Sequence, residues 1–378
     1  MCRFGKNVDV LIYYLMAYNK SSSAYQLFVR LIQVSLGTRS ELDAKLSESE
    51  FYYCFKEAKR QTLLGVLSEA AIKSFDSSRC SDVAKKTRMQ WLAFTVKIED
   101  VSRKLDTRAC ELTQKFSDIG LRSCILKGQS IARYYPSPHW RQCGDIDIWV
   151  DGGRNEIVKS VSRIGEVGDI FYHHMELNCF KDASVEVHFL PSWFFNPITN
   201  RRFHKWISKV KQKQFTDRYD VGFNSPDIEF DLVFSLIHIY RHVIDGGVGL
   251  RQLMDYYYIL IHSTKEQRQI AFKVISGFRM AGFCSGVMYV LRNCFLMDDQ
   301  YCMTEPSAKY GEPISEEIFI GGNFGKYDKR NANRHSYTIK GMLWALRNNI
   351  RLLKHYPSEA SWAPFFKIWQ YAMIHIWK

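Results

Sequence analysis

Paired cysteine spacings are missing from this chain. Its ten cysteines include no Cys-x-x-Cys pair and no finger-like Cys/His spacing, which argues against a zinc module and a disulfide scaffold and fits free thiols in a reducing cytoplasm. No apolar run approaches the roughly 20 residues that cross a bilayer, so a soluble chain is expected. The opening stretch "MCRFGKNVDVLIYYLMAYNK" is briefly apolar, but Asp9 lies just before its core and no small-residue cleavage site follows. No signal peptide is therefore expected. Internal repeats and low-complexity tracts are also absent, which removes solenoids and repeat arrays. Acidic residues are in short supply: 39 against 52 lysines and arginines leave a net charge of +13. That balance favours polyanionic company such as nucleotides, nucleic acid, acidic lipid surfaces or anionic glycans, without choosing among them.

What is present is ordinary globular material. The 378 residues, 46% hydrophobic and 24% charged, are enough for a real core and for two or three domains. Residues 24 to about 120 carry helical spacing of apolar positions, and Ser47 three residues before Glu50 reads as a capping box. Gly120 ends that pattern, and Leu121 to Leu126 form a short apolar strand closed by Lys127 and Gly128. A brief helix, a proline-bearing loop, a second strand, a helix near 154–164 and two further strands separated by "KDAS" follow. From Ser225, an N-cap with Pro226 at the first helical position, the chain turns helical again. The reading is an α+β fold with a small mixed or antiparallel sheet over residues 119–220, framed by helical regions at 1–118 and 221–378.

The second strand, "RQCGDIDIWV", carries the chemistry. Strand side chains alternate, so Asp145 and Asp147 share one face while Ile146, Ile148 and Val150 share the other. Two adjacent like charges cost stability unless a cation compensates them or the strand ends in a wet turn. "SVEVHF" places Glu186 and His188 on one face in the same way. Paired beside the aspartate strand, Asp145, Asp147 and Glu186 would form a ligand set for a hard divalent cation such as Mg²⁺. Upstream, "LKGQS" ends a strand and opens a helix, so the backbone N–H groups of Gly128, Gln129 and Ser130 can face an anion, with Lys127 adding charge.

These residues resemble a known family. The order strand-Gly-helix, then Asp145-Ile146-Asp147, then Glu186 resembles the DNA polymerase beta-type nucleotidyltransferase superfamily. More narrowly, "LKGQSIARYYPSPHWRQCGDIDIWV" is similar to a group of uncharacterised bacterial nucleotidyltransferases, and "VEVHFLP", "GVGLRQLMDYYYIL" and "GGNFG" resemble later blocks of that group, from about residue 120 to 330. The resemblance implies Mg²⁺-dependent transfer of a nucleoside monophosphate from a nucleoside triphosphate to a hydroxyl, with pyrophosphate released. Asp145 and Asp147 would hold two metal ions, Mg²⁺ or alternatively Mn²⁺. Glu186 would bind the metal beside the acceptor and help activate its hydroxyl, and Gly128 and Ser130 would hold the triphosphate. The superfamily turn is Gly-Gly or Gly-Ser, whereas here Gln129 follows Gly128. The acceptor is open among a sugar or small molecule, a protein hydroxyl and an RNA end. Competing readings are a metal-dependent phosphohydrolase or nuclease, and a non-catalytic nucleotide-binding module.

Other positions carry two readings each. Arg141 fits a phosphate contact, a brace for the aspartates or a structural salt bridge. His188 fits a substrate or metal contact, or a hydrogen-bonded structural histidine. His238 and His242 have i, i+4 spacing, but no Glu follows His238, so a polar face lining a cleft is preferred over zinc. Arg241 and Arg251 also fit a substrate cleft, although an Arg251–Asp255 salt bridge explains the second equally well. "GGNFGK" lacks Walker spacing and reads as a flexible loop or lid. The basic, aromatic stretches at 201–213 and in the C-terminal tail suit RNA, an anionic glycan precursor, a peripheral membrane surface or simple solvation.

Overall fold

The computed structural model describes residues 23–75, 80–216, 222–332 and 339–376. The opening stretch, where no signal peptide is expected, and part of the loop after "GGNFG" lie outside them. Among the described residues four helices come first: α1 (Ser23–Leu36), α2 (Glu48–Arg60), α3 (Leu64–Ser74) and α4 (Asp82–Asp118). The capping box is present. Glu50 N donates to Ser47 Oγ at 3.4 Å and Ser47 N donates to Glu50 Oε2 at 2.9 Å, so two otherwise orphan donors at the start of α2 are satisfied reciprocally.

The sheet follows, with β1 (Ser123–Leu126), the short α5 (Gly128–Ala132), β2 (Ile146–Val150), α6 (Arg154–Val161), β3 (Glu166–Ile170), β4 (His174–Asn178) and β5 (Val185–His188). Its strand order is β1-β2-β5-β4-β3. The β2–β5 pair is parallel and the other pairs are antiparallel, so the sheet is mixed. Where alternation suggests one strand through "DIFYHHMELNCF", the structure has two. Phe171 N donates to His174 O at 2.8 Å and closes a tight hairpin whose turn residues are aromatic rather than the usual Gly or Asn, so no breaker marks it.

The alternation in β2 sets the layers. Ile146, Ile148 and Val150, with Val185 and Val187, pack with Leu105, Ala109, Leu112 and Phe116 from the second half of α4, and with Ile157 and Val161 of α6. The first half of α4 belongs to the other core through Trp91 and Ile98. On the opposite face, the Trp149 ring stacks 5.5 Å from Phe230 and locks the sheet to the C-terminal helices.

Those helices are α7 (Pro197–Val210), α8 (Ile228–Ile244), α9 (Leu250–His262), α10 (Lys265–Gly277), α11 (Ala281–Phe295), α12 (Ala308–Gly321), α13 (Ile339–Leu353) and α14 (Pro357–Ile376). The N-cap of α8 is Asp227, not Ser225. The Asp227 carboxylate accepts from Phe230 N at 2.8 Å, a stronger cap than a hydroxyl held two residues upstream in extended chain. The basic run at 201–213 forms most of α7, where Phe203 and Ile207 are buried and Arg201, Arg202, Lys205 and Lys209 face solvent. The protein is α+β and mostly helical, and no helix among the described residues is long and apolar enough to cross a membrane.

Candidate active site

At the open end of the sheet, the register does what the alternation alone cannot. In the parallel β2–β5 pair Asp147 stands directly beside Glu186, and on β1 Leu126, the residue before Lys127, is its partner on the other side. A buried carboxylate is thereby flanked by a second carboxylate and by a lysine. Lys127 Nζ lies 2.8 Å from Asp147 Oδ1, and His188 Nε2 lies 2.8 Å from the same oxygen and 3.5 Å from Glu186 Oε2.

The electrostatics follow from that crowding. Burial opposes the Lys127 charge, but Asp147, Asp145 and Glu186 outweigh it and hold the ammonium group above its ordinary range. Burial also opposes the Asp147 charge, yet Lys127 and His188 pull this carboxyl well below the usual carboxylate range. Asp145 moves the other way, pushed up by the Asp147 charge and then by burial. Glu186 is lowered because the hydrogen bond from His188 outweighs its burial. In His188 the bonds to Asp147 and Glu186 outweigh burial and raise the imidazole.

The acids line a cleft of about 1100 Å³ between the sheet and helices α8 and α9, just above the roughly 300–1,000 Å³ typical of ligand pockets. Lys127, Gly128, Arg141, Asp145, Asp147, Glu186, His188, His238, Arg241, His242 and Arg251 all line it. Gln129 and Ser130 are not among the lining residues. Both are buried behind the turn, where Gln129 Nε2 donates to the Asp145 carbonyl at 3.4 Å and Ser130 Oγ has no partner among the described residues. The turn itself is tight, since Lys127 and Gly128 take successive positive φ values of 49° and 29°. For a lysine that conformation is strained, and such strain clusters at functional sites.

Arg141 is committed elsewhere. Its Nε and Nη2 each donate to the Asp255 carboxylate at 2.7 Å, and Tyr135 Oη donates to the same group at 2.7 Å. This is the structural salt bridge, and it anchors the loop that delivers Asp145. The helical spacing that suggests Arg251 as the partner of Asp255 is overruled. Arg251 Nη1 donates to the Gln142 carbonyl at 2.6 Å, and its guanidinium lies 5.4 Å from the Phe324 ring centroid.

His238 and His242 contact each other at 3.0 Å between Nε2 atoms. Burial, then His242 and Lys127, keep His238 well below the ordinary histidine range. "GGNFG" is a packed turn rather than a flexible lid. A Cβ on Gly325 would lie 2.0 Å from the Gly246 carbonyl oxygen, an approach only glycine allows. Sequence reasoning missed His173 and His174. His174 is opposite His188 in the β4–β5 register, and the His173 ring centroid is 3.8 Å from that of Trp193. The adjacent pair in "FYHHMEL" was the available signal, but its meaning depends on the pairing.

Asp147, Glu186 and His188 offer ligand atoms that all lie within 4.8 Å of one another. The metal-sized group thus includes His188, while Asp145 stands outside it on the same cleft wall. Two carboxylates and an imidazole arranged around an ammonium group already accommodate a cation, and the donor set fits a divalent one.

No curated protein and no solved structure matches the chain. A family described as uncharacterised nucleotidyltransferase matches residues 48–283. The match begins at α2, well before the residue 120 at which the sequence resemblance starts, so the helices that wall the sheet belong to the family unit. It covers more than half of the chain and contains every acid, lysine and arginine of the cleft named above. The chain therefore belongs to the uncharacterised nucleotidyltransferase family and is an enzyme of the transferase type.

Proposed function

We propose that the protein is a cytoplasmic, Mg²⁺-dependent enzyme with a polymerase-beta-like core, and that it moves a nucleoside monophosphate from a nucleoside triphosphate to an acceptor hydroxyl. The observation that carries this reading is the side-by-side placement of Asp147 and Glu186, with Asp145 electrostatically coupled to them. Three acids on one cleft wall are more negative charge than Lys127 alone balances. Asp145, Asp147 and Glu186 are the residues that would hold the metal, with Mn²⁺ a workable substitute and His188 a further donor. When bound there, divalent cations neutralise phosphate charge and make the acceptor hydroxyl more acidic.

The chain's own residues supply the rest. The Lys127–Gly128 turn would grip the triphosphate, and the Arg141–Asp255 pair holds the loop that carries Asp145. The acceptor oxygen attacks the α-phosphorus and the bond to the β-phosphate oxygen breaks. Pyrophosphate leaves with that electron pair, and Glu186, kept ionised by His188, takes the hydroxyl proton. The nine described cysteines are free thiols, in keeping with a reducing compartment. The acceptor is a sugar or other small molecule, a protein hydroxyl or an RNA end.

Incubation with α-labelled nucleoside triphosphate, Mg²⁺ and a cell extract tests the reading. Label retained on an acceptor, with pyrophosphate released, is expected. Free nucleoside monophosphate as the only labelled product would instead make the protein a phosphohydrolase or nuclease, and no turnover and no nucleotide binding would make it a non-catalytic module.

A further inference from the structure

Arg241 is an unusual cation for the wall of a cleft. It is 5% exposed, and its guanidinium carbon lies 4.3 Å from the Trp193 ring centroid and 4.0 Å from that of Phe195. Two aromatic rings therefore fix the orientation of a planar, permanently charged donor. Nη2 donates to Asp245 at 3.0 Å, but Nε and Nη1 have no hydrogen-bond partner among the described residues. The other nearby carboxylate, Glu359, accepts from the backbone N–H groups of Phe195 and Asn196 at 2.6 and 3.1 Å and meets Arg241 through charge attraction, with no hydrogen bond to its Nε or Nη1. Two more cleft-lining donors are buried without partners, Ser235 Oγ on α8 and Trp193 Nε1. Leaving such donors unpaired is costly, and an anion is what would satisfy them.

The position of Arg241 says which anion. Across the sheet the order runs from the Lys127–Gly128 turn after β1, through Asp147 on β2, to Glu186 and His188 on β5 and His174 on β4. His173 continues that line onto Trp193, and Trp193 onto Arg241. Arg241 thus lies on the far side of the acids from the turn assigned to the triphosphate. A planar guanidinium with donors to spare is the side chain of choice for phosphate recognition.

We propose that Arg241, held by Trp193 and Phe195, forms a phosphate-binding subsite for the acceptor, so that the acceptor is a phosphate-bearing molecule. The inference rests on the nucleotidyltransferase reading for which side of the acids is the acceptor's.

Calorimetric titration of inorganic phosphate into the full chain, saturated with Mg²⁺ and a non-hydrolysable nucleoside triphosphate, tests it. Phosphate binds the nucleotide-loaded wild type, and Arg241→Gln weakens that binding by about tenfold or more while nucleotide affinity stays unchanged. Arg241→Lys, which keeps the charge but loses the fork, gives an intermediate loss and decides the matter if the glutamine variant does not fold. Phosphate binding that is equal in wild type and both variants, that nucleotide abolishes by competition, or that acetate matches in affinity would overturn the proposal. If Mg²⁺-nucleotide fails to bind even the wild type, the transferase reading fails by itself, and titration of the free protein with phosphate still decides whether Arg241 builds an anion site.

Discussion

The Lys127 ammonium group lies 2.8 Å from the Asp147 carboxylate, in contact with the oxygen that also meets His188. The pair is nearly buried and lies within the acid and histidine group proposed to hold a divalent cation. Lys127 is therefore the counter-ion of the acids and, on the proposed reading, a competitor for their metal.

Lys127→Met removes one partner of this buried pair and should cost about 3 kcal/mol of stability in metal-free buffer. Added Mg²⁺ then raises the melting temperature of the variant more than that of the wild type, because the metal replaces the lost charge without competition. Equal Mg²⁺ shifts in the two proteins would show that the metal does not share this position.

Asp145 and Asp147 separate by their electrostatics. Asp147 is held ionised by Lys127 and His188, whereas Asp145 is pushed up chiefly by the Asp147 charge. Asp145→Asn should abolish metal-dependent turnover while gaining about 1 kcal/mol in metal-free stability through relieved repulsion. Asp147→Asn should abolish turnover and lose stability. Denaturant melts beside the labelled-nucleotide assay read both effects, and full turnover in either variant would remove that residue from the site.

The Arg141–Asp255 pair is bidentate, buried and made between the loop before β2 and helix α9. Asp255→Asn should destabilise the fold by about 3–5 kcal/mol, since it leaves the guanidinium buried and uncompensated. A loss of under about 1 kcal/mol in urea unfolding would show that Arg141 is instead free to serve the substrate.

Asp231 gives a pH signature. Burial pushes its carboxyl up to about 7, against the pull of Arg133 and the Tyr134 hydroxyl. Its folded pKa is above its unfolded one, so the stability it contributes is fully present below about pH 4 and is lost as pH rises to about 7. Between about pH 5 and pH 8 the wild type should therefore lose stability that Asp231→Asn does not. Parallel pH profiles for the two proteins would contradict this assignment.

How much of the site was legible depended on the distance over which the information acts. Alternation within "GDIDIWV" and "VEVHF" is a local property, and it separated Asp145, Asp147 and Glu186 from the isoleucines and valines that pack under the sheet. The parallel pairing that sets Asp147 beside Glu186 depends on a hairpin and a helix inserted between the strands, which alternation does not encode. Arg141 and Asp255 are 114 residues apart, and the nearer candidate at helical spacing, Arg251, was the plausible partner until tertiary packing supplied another. Ser130 followed the motif in sequence, but the tight turn carries it behind the cleft wall. The hairpin at Phe171 carries no local breaker, because its turn uses aromatic residues. The two rings that hold Arg241 come from the loop after β5, and no local pattern connects that loop to α8.

The most direct test of the central claim is a crystal structure of the full chain with Mn²⁺ and a non-hydrolysable nucleoside triphosphate, with the metal located by its anomalous signal. Mn²⁺ is expected among Asp145, Asp147 and Glu186, with the triphosphate at the Lys127–Gly128 turn and the Lys127 ammonium group moved off Asp147 onto phosphate. Manganese bound away from these three acids, or nucleotide bound with Lys127 still paired to Asp147 and no metal between, would contradict it.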